Sequence, residues 1–186
     1  AKRFARGGYI ACMTRRNAEK LQPLIAEIEA EGGIAYGFAS DARKEDQVIA
    51  LVEEIEANIG EIDVLVFNIG ANVPCSILEE TARKYFKIWE MACFGAFLTG
   101  REVAKRMVVR EHGSIIFTGA TAGIRGAANF AAFAGAKHAL RALAQSMARE
   151  LGPKNIHVAH VVVDGAIDTD FIKDTFPDMY ARKEHD

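Results

Sequence analysis

The sequence predicts an α/β protein in which a parallel β-sheet is covered by helices on both faces. Short apolar runs alternate with long amphipathic stretches along the 186 residues, which is the strand–helix order of a doubly wound sheet. The run at 64–67 (VLVF) is continuously hydrophobic, as in strands that are buried on both faces. Glycines follow two of the amphipathic stretches, at Gly32 and Gly60, where helices commonly end.

The predicted elements follow in order. Strands are expected where short runs are rich in apolar and β-branched residues: 9–14, 34–39, 64–67, 114–118 and 157–163. Helices are expected where apolar residues recur every three or four positions: 18–31, 44–59, 81–109 and 130–151. We expect Gly95 and Gly100 to break the third helix. The chain from Ala166 onward is more polar, and we expect it to be helical or irregular.

Composition favours one globular domain over residues 1–186 and excludes several classes of function. Lys and Arg number 23 against 25 Asp and Glu, for a net charge of −2, and half of the residues are hydrophobic. With no basic excess, neither nucleic acid nor a membrane surface is an expected partner. No run approaches the roughly 18–20 apolar residues that span a bilayer.

The cysteines and histidines predict neither disulfides nor a metal site. Cys12, Cys75 and Cys93 are odd in number and widely spaced, which favours reduced thiols and a cytoplasmic location. We expect Cys12 and Cys93 to be buried. His157 and His160 lie three apart on a predicted strand, hence on opposite faces, and the other histidines are isolated.

Four segments at or after the predicted strands carry a family resemblance. They are 68–71 (NIGA), 118–123 (TGATAG), 133–137 (FAGAK) and 164–169 (DGAIDT). In order and spacing they resemble the N-N-A-G, I-S-S-x-x-G, Y-x-x-x-K and P-G-x-x-x-T segments of the short-chain dehydrogenase/reductase family. The resemblance covers essentially the whole chain and implies a single NAD(P)-binding, Rossmann-like domain.

The same resemblance implies that this chain lacks part of the family's sheet. A first, central strand and a Gly-rich turn would precede residue 1, and a further strand would follow the last one seen here. The strands at 9–14 and 64–67 would then flank a gap, with unpaired backbone groups that are costly when buried. We therefore expect 1–186 to be a fragment of a longer chain.

The resemblance also indicates cofactor contacts, and the residues favour NADP over NAD. The family's NAD-binding acidic position is Thr14 here, followed by Arg15 and Arg16. A guanidinium pairs with a 2′-phosphate that a carboxylate would repel. The alternative is that both arginines are merely solvated charges.

The resemblance implies further cofactor contacts, each at an individual residue of this chain. Asp41, with Ala42 beside it, matches an adenine contact, although an Asp also favours turns. Asn68 and Gly70 match positions of close backbone approach to the cofactor, and Lys137 matches the lysine that binds the nicotinamide ribose. Ile167 and Thr169 match contacts to the carboxamide or phosphates. Asp164 departs from the family, which has a proline there.

Three of the family's four catalytic groups are replaced. The Tyr, Ser and Asn positions are Phe133, Ala120 and Ala92, and only Lys137 is retained. Phenylalanine has no proton to give, and losing a positioned general acid typically costs about 10²–10⁴ in rate. Replacement hydroxyls could come from Thr118 and Thr121, or from Tyr180 in the tail.

The leading interpretation is therefore an NADP-dependent oxidoreductase that transfers hydride between nicotinamide and a small carbonyl or alcohol, with a weakened proton-donor site. The alternative is a catalytically impaired cofactor-binding protein that serves as a sensor, partner subunit or scaffold. A purely structural domain is disfavoured because Arg15, Asp41 and Lys137 are present. The resemblance further implies a homodimer or homotetramer assembled through the helices at 81–109 and 130–151.

Overall fold

The computed structural model of the chain describes residues 1–70, 72–165 and 174. Each strand in this part lies within two residues of a predicted strand. These strands are β1 (Ala11–Arg15), β2 (Ala35–Ala39), β3 (Val64–Phe67), β4 (Gly113–Ala120) and β5 (Ile156–Val163). Every pairing among them is parallel, which confirms the parallel sheet.

The strands form two sheets rather than one. β1 pairs with β2 from Ala11–Ala35 to Arg15–Ala39. The second sheet has the order β3-β4-β5. Within the described residues β1 and β3 do not pair with each other, so the predicted gap lies between these two strands. Val66 of β3 is 44% exposed although it stands inside a strand.

Each of the four predicted helical stretches contains at least one helix, and a further short helix stands at the start of the chain. In the described part of the chain they are α1 (Lys2–Ala5), α2 (Gln22–Ala30), α3 (Glu45–Asn58), α4 (Ala82–Trp89), α5 (Gly95–Arg110) and α6 (Ala131–Leu151). A 3₁₀ turn (Ala18–Leu21) leads into α2, and the side chain of Asn17 accepts a hydrogen bond from the Glu19 amide. Thr81 caps α4 by accepting from the Lys84 amide. Both caps satisfy backbone N–H groups that the helix itself leaves unpaired.

The prediction that glycines break the long third helix was wrong. The irregularity is a π-helical turn (Glu90–Phe94) between α4 and α5, and both glycines lie inside α5. A β-carbon on Gly100 would stand 3.0 Å from Cζ of Phe117, and one on Gly95 would stand 3.2 Å from the Ala42 carbonyl oxygen. The glycines therefore allow close packing of α5 against β4 and against the loop after β2.

The two largest of the three buried clusters among the described residues hold the sheets and helices together. The larger joins α3, α5 and α6 to the β3-β4-β5 sheet around Phe117, Ile115 and Leu140. The smaller joins α2 to β1 and β2 around Ile28. Cys93 is buried as expected, but Cys12 is only half-buried. Ala11 faces the small cluster, so the next side chain along β1 points to the opposite face.

Among the helices that the structure describes, none combines the length and apolar character needed to cross a membrane.

Candidate cofactor and active site

A cavity of about 160 Å³ lies where β1 and β2 end. The two strands run parallel to each other, so their carboxyl ends lie at the same edge of the sheet. Open α/β sheets bind ligands at this edge. Five of the predicted cofactor residues line this cavity together with four that were not predicted. The lining is Thr14, Arg15, Arg16, Ser40, Asp41, Ala42, Arg43, Ile69 and Met91. Ile69 follows β3, so the cavity is shared by the carboxyl ends of strands from both sheets.

Asp41 is held by Arg43, two residues further along the chain. Nε of Arg43 donates to Oδ1 of Asp41 at 2.9 Å, and a terminal guanidinium nitrogen donates to Oδ2 at 2.5 Å. The Arg43 amide also donates to Oδ1, at 3.1 Å. The hydrogen bonds from Arg43 outweigh burial and lower the pKa of Asp41 to about 2, so the carboxylate is ionised at neutral pH.

The cavity carries an excess of positive charge. Its lining has three guanidinium groups, those of Arg15, Arg16 and Arg43, against the single carboxylate of Asp41. The charge of Arg16 also contributes to the lowered pKa of Asp41. Arg43 and Asp41 are well shielded, with 21% and 18% of their side-chain surfaces exposed. A ligand that presents about two negative charges at this place would neutralise the lining.

The remaining predicted cofactor residues lie apart from this cavity or outside the described residues. Asn68 and Gly70 are exposed beside Ile69, and a β-carbon on Gly70 would meet nothing within 4 Å in the described part of the chain. Open space at this loop is compatible with close approach of a ligand. Ile167 and Thr169 lie outside the described residues, as does Tyr180.

Lys137 lies buried between α6 and the end of β4, with only 4% of the residue exposed. Its Nζ donates to the carbonyl oxygen of Thr118 at 2.8 Å. Burial disfavours the charged ammonium and lowers the pKa of Lys137 to about 8. The side chain therefore keeps most of its charge at neutral pH and titrates in a mildly alkaline range.

The three residues that the family resemblance places at the Tyr, Ser and Asn positions are all non-polar. The ring of Phe133, one helical turn before Lys137, has its centre 5.8 Å from Nζ of that lysine. Ala92 is fully buried in the π-helical turn, in a cluster that includes Ala132 and Ala136 of α6. Ala120 is the last residue of β4. Of these three residues, Phe133 is the one whose side chain the described contacts place beside Lys137, at the position where the family resemblance expects a hydroxyl.

The hydroxyl of Thr121 is already engaged. It donates to Oδ1 of Asp164 at 2.5 Å, linking the turn after β4 to the residue after β5. Asp164, which departs from the family pattern, is thus in direct contact with the turn after β4. Thr121 was a candidate for a replacement proton donor, but in this arrangement its proton is directed at Asp164.

His160 of β5 was not predicted to lie near the retained lysine, but it does. Its pKa is lowered by burial and by the positive charges of Arg141 and Lys137, which keeps the imidazole neutral. Nε2 of this histidine has no hydrogen-bond partner among the described residues. Within that part of the chain, no three His, Cys, Asp or Glu side chains converge on a point where a metal ion could bind.

The four lining residues that were not predicted are Ser40, Arg43, Ile69 and Met91. Ser40 and Arg43 flank Asp41 and Ala42, so the carboxyl end of β2 was the signal that could have found them. Met91 belongs to the π-helical turn, and only the packing of that turn brings it to the cavity.

Comparison with known proteins establishes the family. The model of the short chain dehydrogenase family matches residues 1–179, so this chain belongs to that family of oxidoreductases. A 2-dehydro-3-deoxy-D-gluconate 5-dehydrogenase from Formosa agariphila is 32% identical over 184 residues, which cover 92% of this chain and 70% of that protein.

Solved structures agree on the fold. A short-chain dehydrogenase from Rhodopseudomonas palustris superposes with a TM-score of 0.85 at 50% sequence identity, covering 97% of this chain and 84% of that one. A gluconate 5-dehydrogenase from Burkholderia cenocepacia, solved with NADP and tartrate, has a TM-score of 0.85 at 25% identity and covers 91% and 66% of the two chains. The predicted Rossmann-like α/β fold is therefore confirmed.

Proposed function

We propose that this protein is an NADP-dependent oxidoreductase that interconverts a small carbonyl compound and its alcohol, with a weakened proton-donor site. The observation that carries the proposal is that five predicted residues line one and the same cavity: Thr14, Arg15, Arg16, Asp41 and Ala42. These residues were singled out from separate parts of the sequence as contacts to one end of a dinucleotide, and they meet at one place.

The cavity suits the adenosine end of the cofactor. At about 160 Å³ it is smaller than the roughly 300–1,000 Å³ of pockets that enclose drug-sized ligands, so it would take only part of a dinucleotide. The position at the end of β1 is Thr14, which offers no carboxylate for a ribose diol. Arg15 and Arg16 instead offer forked donors that match a phosphate. The lining therefore favours NADP over NAD.

The groups around Lys137 suggest slow chemistry. Bound NADP would supply the hydride donor or acceptor through its nicotinamide ring. By family likeness, Lys137 would bind the ribose hydroxyls next to that ring. Phe133 and Ala120 cannot donate a hydrogen bond to the substrate oxygen, so two stabilising contacts to developing negative charge are missing. We therefore expect weak turnover on ordinary carbonyl compounds.

The proposal also includes the assembly and the location of the protein, which we expect to be a homodimer or homotetramer in the cytoplasm. Four aromatic rings stack in sequence along α4, the π-helical turn and α5, with centres about 6 Å apart: Phe86, Trp89, Phe94 and Phe97. Phe86 is 57% and Phe97 is 37% exposed. Exposed aromatic residues in a contiguous patch are characteristic of protein–protein contacts, which supports an interface on this face.

A turnover assay on the natural full-length polypeptide tests the function. NADPH oxidation would be followed with a panel of small aldehydes and ketones, and NADP⁺ reduction with the matching alcohols. We expect slow turnover that Lys137→Met abolishes and that Lys154→Met, a change at an exposed lysine, leaves unchanged. Binding of NADPH without turnover on any substrate would instead support the alternative, a cofactor-binding protein that acts as a sensor, partner subunit or scaffold.

A further inference from the structure

The guanidinium of Arg43 is held in place by the protein but keeps N–H donors that could bind a ligand. A guanidinium has five N–H donors, and Arg43 gives two of them to the carboxylate of Asp41. The other three have no hydrogen-bond partner in the described part of the chain, so they are available for a ligand. The bidentate contact fixes the plane of the group, so little conformational freedom would be lost on binding. Arg43 lines the same cavity as Arg15 and Arg16.

Asp41 is poorly arranged to be the main acceptor for the cofactor. Oδ1 accepts from both the amide and Nε of Arg43, and Oδ2 accepts from the terminal nitrogen. Most of the lone pairs of the carboxylate are therefore taken within the protein. Its clearest structural effect is to hold Arg43 against the cavity.

Ser40 supplies a second, independent sign of a ligand at this place. The residue is 8% exposed, and its hydroxyl has no hydrogen-bond partner among the described residues. A buried hydroxyl without a partner is costly. Ser40 lines the cavity beside Asp41, so a bound polar group could accept the hydrogen bond that the protein leaves unmade.

We propose that Arg43 is a third guanidinium ligand for the 2′-phosphate of NADP, and that Asp41 is the positioning residue that holds it. The inference rests on the proposed cofactor, because it assigns a residue to that cofactor's distinguishing group. A phosphate monoester carries about −1.5 to −2 charge at neutral pH. Three arginines against one carboxylate leave an excess of two positive charges, which matches that charge.

The test measures binding rather than activity. Dissociation constants for NADPH and NADH, which differ only in the 2′-phosphate, would be determined by calorimetry for the full-length polypeptide and its variants. We expect Arg43→Ala to weaken NADPH roughly tenfold to a hundredfold, the scale of one lost charge-assisted contact. Binding of NADH should change by less than about twofold, because the lost contact is to the phosphate alone. Arg43→Lys should recover part of the NADPH affinity.

Asp41→Asn separates positioning from direct contact. If Asp41 acts by holding Arg43, the variant weakens NADPH by roughly threefold to tenfold, a partial loss of the same contact, and leaves NADH nearly unchanged. If Asp41 is instead the main contact to the adenine ring, both cofactors weaken equally. Arg106→Ala, at a half-exposed arginine paired with Glu53 on the surface, is the matched control and should alter neither.

Two outcomes would overturn the inference, and a third concerns the proposed function itself. Equal weakening of NADPH and NADH by Arg43→Ala would show that Arg43 does not contact the 2′-phosphate. Unchanged binding of both would show that it contacts no part of the cofactor. Failure of the unmodified protein to bind either cofactor would instead reject the proposed function. Arg43→Gln, which keeps most of the side chain, serves if the alanine variant does not fold.

Discussion

The amino group of Lys137 lies 5.8 Å from the centre of the Phe133 ring, one turn earlier on α6. Positions four apart share a helix face, so these two residues present a buried cation and an aromatic ring to the same space. The cation has one hydrogen bond to protein in the described residues, to the Thr118 carbonyl oxygen. A hydroxyl on the Phe133 ring would therefore be placed on the same helix face as this charge.

Phe133→Tyr should raise turnover. The new hydroxyl supplies a proton donor on the face that Lys137 occupies, and a positioned general acid is typically worth about 10²–10⁴ in rate. We expect kcat for carbonyl reduction to rise by at least about tenfold, below that range because Ala120 and Ala92 remain. The measurement is steady-state NADPH oxidation. Phe86→Tyr, at an exposed ring on α4, is the control, and an equal kcat for Phe133→Tyr and the unmodified protein would contradict the prediction.

The buried charge of Lys137 should make stability depend on pH in a defined direction. Its pKa falls from 10.5 to about 8 on burial, so between these values the folded protein binds fewer protons than the unfolded chain. The contribution of Lys137 to the free energy of unfolding is therefore lowest below pH 8 and rises toward pH 10.5. The full rise is about 3 kcal/mol, from roughly 1.4 kcal/mol for each pKa unit.

Urea unfolding of the unmodified protein and of Lys137→Met, at several pH values from 7 to 10.5, would measure this term. Subtracting the variant's free energy of unfolding removes the pH dependence that other groups contribute. The difference should increase with pH. A difference that stays constant or decreases would show that Lys137 is not desolvated as the structure places it.

A side chain at Gly119 should destabilise the folded protein because it would meet the His160 ring. A β-carbon there would overlap Cε1 and Nε2 of His160 and would lie 3.0 Å from the Val161 carbonyl oxygen. Gly119→Ala should lower the free energy of unfolding by about 1–3 kcal/mol, as overpacking typically does. In a His160→Ala background the same change should cost less, because the clash with the ring is gone.

Gly126→Ala is the matched control for that prediction. Gly126 lies in the loop before α6, and a β-carbon there would meet nothing within 4 Å in the described part of the chain. Chemical denaturation of the four proteins in the cycle compares the costs. If Gly119→Ala lowers the free energy of unfolding equally with and without His160, the contact with the His160 ring is not the cause of the destabilisation.

Most of the fold could be predicted because apolar runs and turn residues are local signals. β3 was predicted to the residue, since its four apolar residues stand between polar neighbours. The break in the long helix was placed wrongly because Gly95 and Gly100 resemble helix breakers in sequence. In the structure these glycines lie inside a helix and allow it to pack closely against Ala42 and Phe117, which are distant from them in the sequence.

The candidate site could be predicted in part. Thr14 and Arg15 are the last two residues of β1, and Asp41 follows β2. The family resemblance singled out these positions, and they lie at strand ends, where open α/β sheets bind ligands. The Asp41–Arg43 pair was missed because an Asp and an Arg two residues apart are common on solvated surfaces. The position of His160 beside Lys137 depends on how α6 packs on β5. This packing joins distant parts of the chain, and no local sequence pattern predicts it.

Calorimetric titration of the natural full-length polypeptide with NADPH, and in parallel with NADH, decides whether the cavity at the ends of β1 and β2 binds the cofactor. NADPH should bind more tightly, and Arg15→Ala should weaken it roughly tenfold to a hundredfold, the scale of one charge-assisted contact. Arg149→Ala, at an exposed arginine near the end of α6, should have no effect. Binding of neither cofactor would contradict the assignment of the cavity and leave a protein that uses the family's fold for another purpose.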